Sequence, residues 1–271
     1  MMKLTCNSAR LGASVCLLAW TAVASASDDG REHWCLPPPP GLTGWWPGDG
    51  NAYDIVGGRD AELHSGASFG LAFVDQAFLL HGDGDGDGVG DYVSVADDPA
   101  LNFGTGNFTV DFWAFFGDPA AGEQVLIEKW VQSFSGLSSG WTFTHFPGNE
   151  LGFFIESAGA GQGVVSDPVP IPAGTWTHFA ATRRAGTFAL YVNGQRVASS
   201  LFAEGNMNAD SPASIKFGHR GNSADTPGSE DESGFYLDGG IDEVEIFVGR
   251  ALTRDQIRAI YFAGRQGKCK P

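Results

Sequence analysis

The stretch GGIDEVEIFVGRALTRDQIRAIYFAG, residues 239–264, sets a strand-type run beside the one clear helical pattern in the chain. Its first half is rich in β-branched residues and opens on glycine, as strands bounded by turn residues do. In the second half Thr253 can cap a helix N-terminus with Gln256 three residues on. Ile257, Ile260 and Tyr261 share a helical face, and Gly264 fits the C′ stop. Outward from this stretch, short apolar or alternating runs recur between Gly, Asp, Asn and Pro clusters: QAFLL, DYVSV, NFTVDFWAFF, QVLIEKW, GWTFTHF, ELGFFIE, TWTHFAATRR, TFALYVNG, QRVAS and SIKFGH. Many short strands with almost no helical periodicity imply an antiparallel β-sandwich. Asn193-Gly194 is a type I′ hairpin pair between two of these runs. The short helix is expected to lie against the sandwich and bring Cys269 back toward Cys35.

The chain begins with Lys3 and Arg10 around a polar start, then LGASVCLLAWTAVA, then the small-residue sites Ala22-Val23-Ala24 and Ala24-Ser25-Ala26. This is the three-part pattern of a secretory signal peptide over residues 1–26, too short for a membrane span. It predicts a secreted or periplasmic protein cleaved near Ala24 or Ala26. Cleavage removes two of the 16 basic side chains and none of the 32 acidic ones, so the formal charge moves from −16 to about −18. Nucleic acid is an unsuitable partner for such a surface, and no second apolar run could span a membrane. Of four cysteines, Cys35 and Cys269 survive export. In an oxidising compartment they have only each other, closing a loop nominally worth about 4 to 5 kcal/mol; free or intermolecular thiols are the alternative. Residues 27–41 contain PPPPG and read as a stiff Pro-rich lead-in, and residues 42–271 as the domain.

The run GDGDGDGVGD, residues 82–91, places Asp83, Asp85 and Asp87 at positions 1, 3 and 5 of an EF-hand loop, with Gly88 at position 6 and Asp91 at position 9. Position 12, which needs a bidentate Glu, is Ser94, and the flanks read as strands rather than helices. The run therefore reads as the loop of a hairpin, with a weak extracellular-type calcium site as the alternative reading. The acidic segment from His219 to Gly234 has no apolar pattern and reads as a loop.

Three stretches combine into a resemblance. LTGWWPGDGNAYDIVGGRDAEL (residues 42–63), NFTVDFWAFF (107–116) and the opening 239–264 segment resemble the laminin-G-like, concanavalin A-like domain of secreted bacterial proteins. WTHFAATRRAGTFALYVNGQRV (176–197) fits the same family. The resemblance implies an all-β fold, a two-sheet antiparallel jelly-roll β-sandwich with one short C-terminal helix. It also implies calcium as a cofactor where the first strand meets the last, with Asp54 and the carbonyl of Gly57 from the early loop and Asp242 from the late strand; Asn51 and Asp60 are further candidates. The bland alternatives are an Asp54 that bonds its own turn and an Asp242 exposed on the sheet.

Hydrolysis is the rival chemistry. GIDEVE (240–245) resembles the Glu-Ile-Asp-x-x-Glu signature of laminarinase-like glycosidases, but the nucleophile position is Gly240. Catalysis is not expected, and the carboxylates read as a calcium ligand and solvent-facing residues. In FTVDFWAFF, Phe108, Val110 and Phe112 share one face, Asp111, Trp113 and Phe115 the other. Asp111 with Trp113 is the candidate sugar contact, a ring that stacks beside a carboxylate that accepts, set against a two-sided core strand. Trp130 and Tyr191 rank below it, and Trp45-Trp46 and His178 read as packing. The sequence thus predicts a secreted, non-catalytic module that recognises a glycan or an extracellular protein; an adhesion domain with protein partners alone is the alternative.

Overall fold

The computed structural model describes residues 23–26, 32–83, 90–131, 138–220 and 235–271. Its strands are β1 (Val23–Ala26), β2 (Glu32–Cys35), β3 (Gly44–Trp46), β4 (Ala61–His64), β5 (Ser68–Leu71), β6 (Gln76–His81), β7 (Tyr92–Val95), β8 (Phe108–Phe116) and β9 (Gln124–Val131). They continue with β10 (Ser139–His145), β11 (Leu151–Ser157), β12 (Ala160–Val165), β13 (Thr177–Arg184), β14 (Thr187–Val192), β15 (Gln195–Leu201), β16 (Ile215–Phe217) and β17 (Asp238–Val248). One helix, α1 (Arg254–Ala263), follows.

Apart from β1 and β2, which pair with each other, the strands form two antiparallel sheets. A seven-stranded sheet runs β12-β11-β10-β9-β16-β7-β4, and an eight-stranded one runs β15-β14-β13-β8-β17-β6-β5, with β3 on β17. Every expected strand run is present, and the inward faces supply a continuous core that includes Phe108, Val110, Phe112, Trp141, Phe143, Phe153 and Phe179. The jelly-roll sandwich implied by the resemblance is the observed architecture. Asn193 and Gly194 both adopt positive φ, 49° and 72°, between β14 and β15, as a type I′ turn requires.

The register explains the opening stretch. Asp242 lies opposite Trp113 and Glu245 opposite Asp111, so β17 carries one more residue than β8 between these pairs. This bulge, with Glu243 at φ 54°, turns Ile241, Val244 and Ile246 all into the core. Asp242, Glu243 and Glu245 are thereby set outside the core cluster, on the side that the C-terminal segment covers.

The helix begins at the expected cap: Thr253 accepts from the Gln256 amide, and Gln256 reaches back to the Thr253 amide. Ile257 and Ile260 bury against Ala180, Ala189, Tyr191 and Phe247 on the outside of the eight-stranded sheet. The following residues return to the N-terminal segment, where Cys35 and Cys269 form a disulfide and Leu36 exchanges backbone hydrogen bonds with Gly267 and Cys269. The lead-in is therefore fastened to the domain rather than hanging from it.

One connection differs from expectation. β6 belongs to the eight-stranded sheet and β7 to the seven-stranded one, so the Asp-Gly run crosses between sheets and does not close a hairpin. Local pattern reports the two strands but not which sheet each joins. Asp85 and Asp87 lie outside the described residues, as do residues 1–22 of the expected signal peptide; Asp83 is exposed at the end of β6. Cleavage at Ala24 or Ala26 would remove half or all of β1, which pairs only with β2.

Candidate functional site

The outer face of the seven-stranded sheet carries a cross-strand row: Gly163, Phe154, Thr142, Glu128, Lys216, Ser94 and Glu62 are successive register partners. A second row runs Gly161, Glu156, Gly140 and Trp130. Residues opposite each other in antiparallel pairs share a face, and the alternate positions here, Phe153, Ile155, Trp141 and Phe143, are core. Gly163, Phe154 and Thr142 of the first row and Gly161, Glu156 and Trp130 of the second line a trench of about 330 Å³, which Glu123 and Arg220 also border.

The glycines shape the floor. A Cβ on Gly163 would come within 2.4 Å of Phe154 Cδ1, and one on Gly152 within 2.4 Å of Phe154 Cε2. Gly163 is opposite Phe154 across the strand pair and Gly152 is two residues before it. The Phe154 ring therefore lies down across two positions without side chains, one flank on each, and remains only half-buried.

Arg220 holds the charged side of the trench. Its Nε reaches Glu128 Oε2 at 3.5 Å, Nη1 donates to Glu123 Oε1 at 3.1 Å and Nη2 donates to Thr142 Oγ1 at 3.2 Å. The guanidinium also lies 4.9 Å from the Phe235 ring centre. Thr144 donates a further 3.0 Å bond to Glu123. Burial pushes the Glu128 carboxyl up to about 7, against the opposing pull of Arg220 and Lys216. Beyond Arg220, the rings of His64, Tyr92, His219 and Tyr236 stack in sequence at centroid spacings of 4.3, 5.1 and 4.9 Å.

The other predicted site residues lie elsewhere. Trp113 is 3 % exposed, stacked between Phe73 and Tyr261, and Asp111 is buried with its Oδ2 3.0 Å from His178 Nε2. The expected sugar contact is thus closed by α1 and the loop at Phe73; strand alternation shows an outer face but not what covers it. Tyr191 is buried under the same helix.

Asp54 has the environment of its turn-forming alternative. Its Oδ1 accepts from the amides of Trp45, Val56 and Gly57, and its Oδ2 from the amide and guanidinium of Arg59. Asp60 accepts from the Asp54 amide, and Asn51 from that of Tyr53. Asp242 is fully buried, accepts from the Val74 amide, and has one carboxylate oxygen without a hydrogen bond. Burial and the neighbouring Glu243 raise its pKa well above the carboxylate range. Among the described residues, no group of three or more His, Cys, Asp or Glu side chains is placed to hold a metal ion. A carboxylate already filled by four amides and an arginine does not fit the calcium set expected of Asp54, Gly57 and Asp242.

A different cation reaches this region. Lys270 Nζ contacts Asp49 Oδ2, lies 3.1 Å from Glu243 Oε1 and 3.7 Å from Asp75 Oδ2. Lys268 Nζ sits 3.7 Å from Glu243 and 3.4 Å from Glu245. Burial alone would lower the pKa of Lys270, yet Glu243 and Asp49 hold it above its usual value. Glu243 and Glu245 are at most 1 % exposed. The expectation that they face solvent fails because the bulge turns them under the C-terminal tail.

Two packed antiparallel sheets, with a trench on one outer face, define a jelly-roll sandwich of concanavalin A type. The chain belongs to the concanavalin A-like lectin/glucanases superfamily, whose laminin-G-type model matches residues 87–258, more than half of the sequence. No curated protein matches it. Among solved structures it is similar to the binding domain of Paraclostridial Mosquitocidal Protein 1, with TM-score 0.63 and 15 % identity over 82 % of this chain and 52 % of that one. It is also similar to the binding domain of Botulinum Neurotoxin DC in complex with SialylT (TM-score 0.61, 17 % identity, 83 % and 52 % covered). The botulinum neurotoxin serotype D binding domain gives 0.58 and 16 % over 82 % and 51 %. The chain thus spans about half the length of these structures, and at such identities the likeness is one of fold.

Proposed function

We propose that this chain is an exported, non-catalytic binding module that holds a saccharide in the trench on the outer face of its seven-stranded sheet. The observation that carries the reading is the Phe154 ring laid flat over Gly152 and Gly163. An aromatic face presented parallel to a sheet, rather than edge-on into a core, suits the CH-rich face of a pyranose, while Thr142 and the carboxylates beside it suit hydroxyl groups. Glu123 and Glu128 both face the same guanidinium, so they are read as holding Arg220 in place rather than as a glycosidase nucleophile and acid. The fold likeness to toxin binding domains supports a binding role, as does the oxidised Cys35–Cys269 pair an exported location.

Oligosaccharide-array screening followed by calorimetry tests it. Phe154→Ala should lower affinity about fivefold or more, in line with about 1–3 kcal/mol lost when a stacking aromatic is replaced by alanine, with Tm nearly unchanged because the ring is outside the core. Saccharide binding that survives this substitution would place the site elsewhere; binding only to protein partners would favour the adhesion alternative.

A further inference from the structure

We infer that the trench selects uncharged saccharides and discriminates against those bearing a carboxylate or sulfate, with Glu156 as the residue that sets the selectivity. The inference rests on the saccharide reading above and deepens it. Among the residues lining the trench, the formal charges are those of Glu123, Glu156 and Arg220. Arg220 is the one cation of that lining, and each of its three nitrogens is directed at a protein oxygen: Glu128, Glu123 and Thr142. Its charge is countered by Glu123 and Glu128, and three of its five N–H donors are committed, so an anionic sugar would find two N–H groups there but no net positive charge. Lys216 faces Glu128 across the strand pair, but it is 1 % exposed and lies beneath the surface a ligand would touch.

Glu156 has the opposite character. It sits on the same outward face as Phe154, two residues along β11, and takes part in no ion pair among the described residues. Gly140 and Gly161 flank it on the neighbouring strands, so no side chain at those two register positions screens it. A hydroxyl donor brought down on Phe154 meets an acceptor there; a carboxylate meets a like charge at short range, in a partly desolvated groove where such repulsion is several times stronger than in water. The whole chain, at −16, adds a longer-range field of the same sign.

The test uses the full chain and matched pairs of oligosaccharides of one length, neutral glucose, galactose or mannose oligomers against counterparts carrying uronic or sialic acid, measured by calorimetry at low and high salt. The expected result is binding of a neutral member, little affected by salt, with its acidic counterpart weaker by about tenfold or more at low salt. Glu156→Gln should shrink that gap to a few-fold, with Tm nearly unchanged and neutral binding weakened at most a few-fold because the amide oxygen still accepts; Glu156→Ala should shrink the gap as well but weaken neutral binding further through the lost acceptor. Preference of the native chain for the acidic members overturns the inference while leaving the saccharide site standing. An unaltered gap in both variants overturns the role of Glu156. No binding of either kind overturns the saccharide reading itself, and with it the selectivity.

Discussion

Glu128 shows how much one residue can carry in this trench. It lies in the same cross-strand row as Phe154 and Thr142, fully buried, with Arg220 on one side and Lys216 across the strand. Its pKa rises from 4.5 in the unstructured state to about 7, because burial outweighs both cations. The sign follows from linkage: a raised folded pKa gives stability that is fully present below pH 4.5 and is lost as pH climbs through 7. At about 1.4 kcal/mol per unit, the loss amounts to roughly 3 kcal/mol. Glu128→Gln cannot ionise. Urea unfolding at pH 5 and pH 8 should therefore show the variant gaining on the native chain as pH rises, on top of a constant offset from the altered Arg220 contact. A difference that does not change with pH would show that this carboxyl does not titrate in the expected range.

At the level of elements, strands β11 and β12 make the platform, and they also mark where sequence reading stopped. Segments with strong alternation or capping were legible: β8, β13, β14, β17 and the helix with its Thr253–Gln256 box all read from pattern alone. β12 (Ala160–Val165) did not, because AGQGVV offers three small residues and no alternation, and glycine has low strand propensity. Those same glycines are what the platform needs. The signal was present as Gly152 two residues before Phe154, but the partner glycine becomes visible only when register places Gly163 opposite. Trp130 stood low among sugar candidates and Asp111–Trp113 high because alternation shows a face without showing its cover. A paired substitution tests the platform. Gly163→Ala drives a Cβ to within 2.4 Å of the Phe154 ring and 2.9 Å of the Phe153 carbonyl oxygen, so the ring must lift and the strand shift, lowering saccharide affinity by about tenfold. Gly161→Ala meets Glu156 Cγ at 3.6 Å, an ordinary contact, and should leave affinity unchanged. Equal loss in both, or in neither, would separate ring orientation from binding.

Across the whole molecule, the segments around Cys35 and Cys269 are brought together, and the second neutralises part of an acidic interior. The disulfide fixes Cys269 beside Cys35, 234 residues apart in sequence, and thereby delivers Lys268 and Lys270 to carboxylates from the first loop and the last strand. This is the junction where the family resemblance led to an expectation of calcium. Here Lys270 bridges Asp49 to Glu243, so an ammonium tethered by the disulfide links the segments that a divalent ion would otherwise join. Its side chain is 27 % exposed, so the ion pairs are worth less than fully buried ones, about 1–2 kcal/mol in all. For a domain of this size, Lys270→Ala should lower Tm by about 3–6 °C, and Lys270→Met, which keeps the aliphatic stem, should lose most of the same amount. The native chain should melt within about 1 °C of the same temperature in millimolar calcium and in chelator. Asp54→Ala should destabilise through its unfilled amides by the same margin in both conditions. A native Tm that rises with calcium, together with loss of that rise in Asp54→Ala or Asp242→Ala, would return the junction to a metal ion and leave Lys270 a bystander.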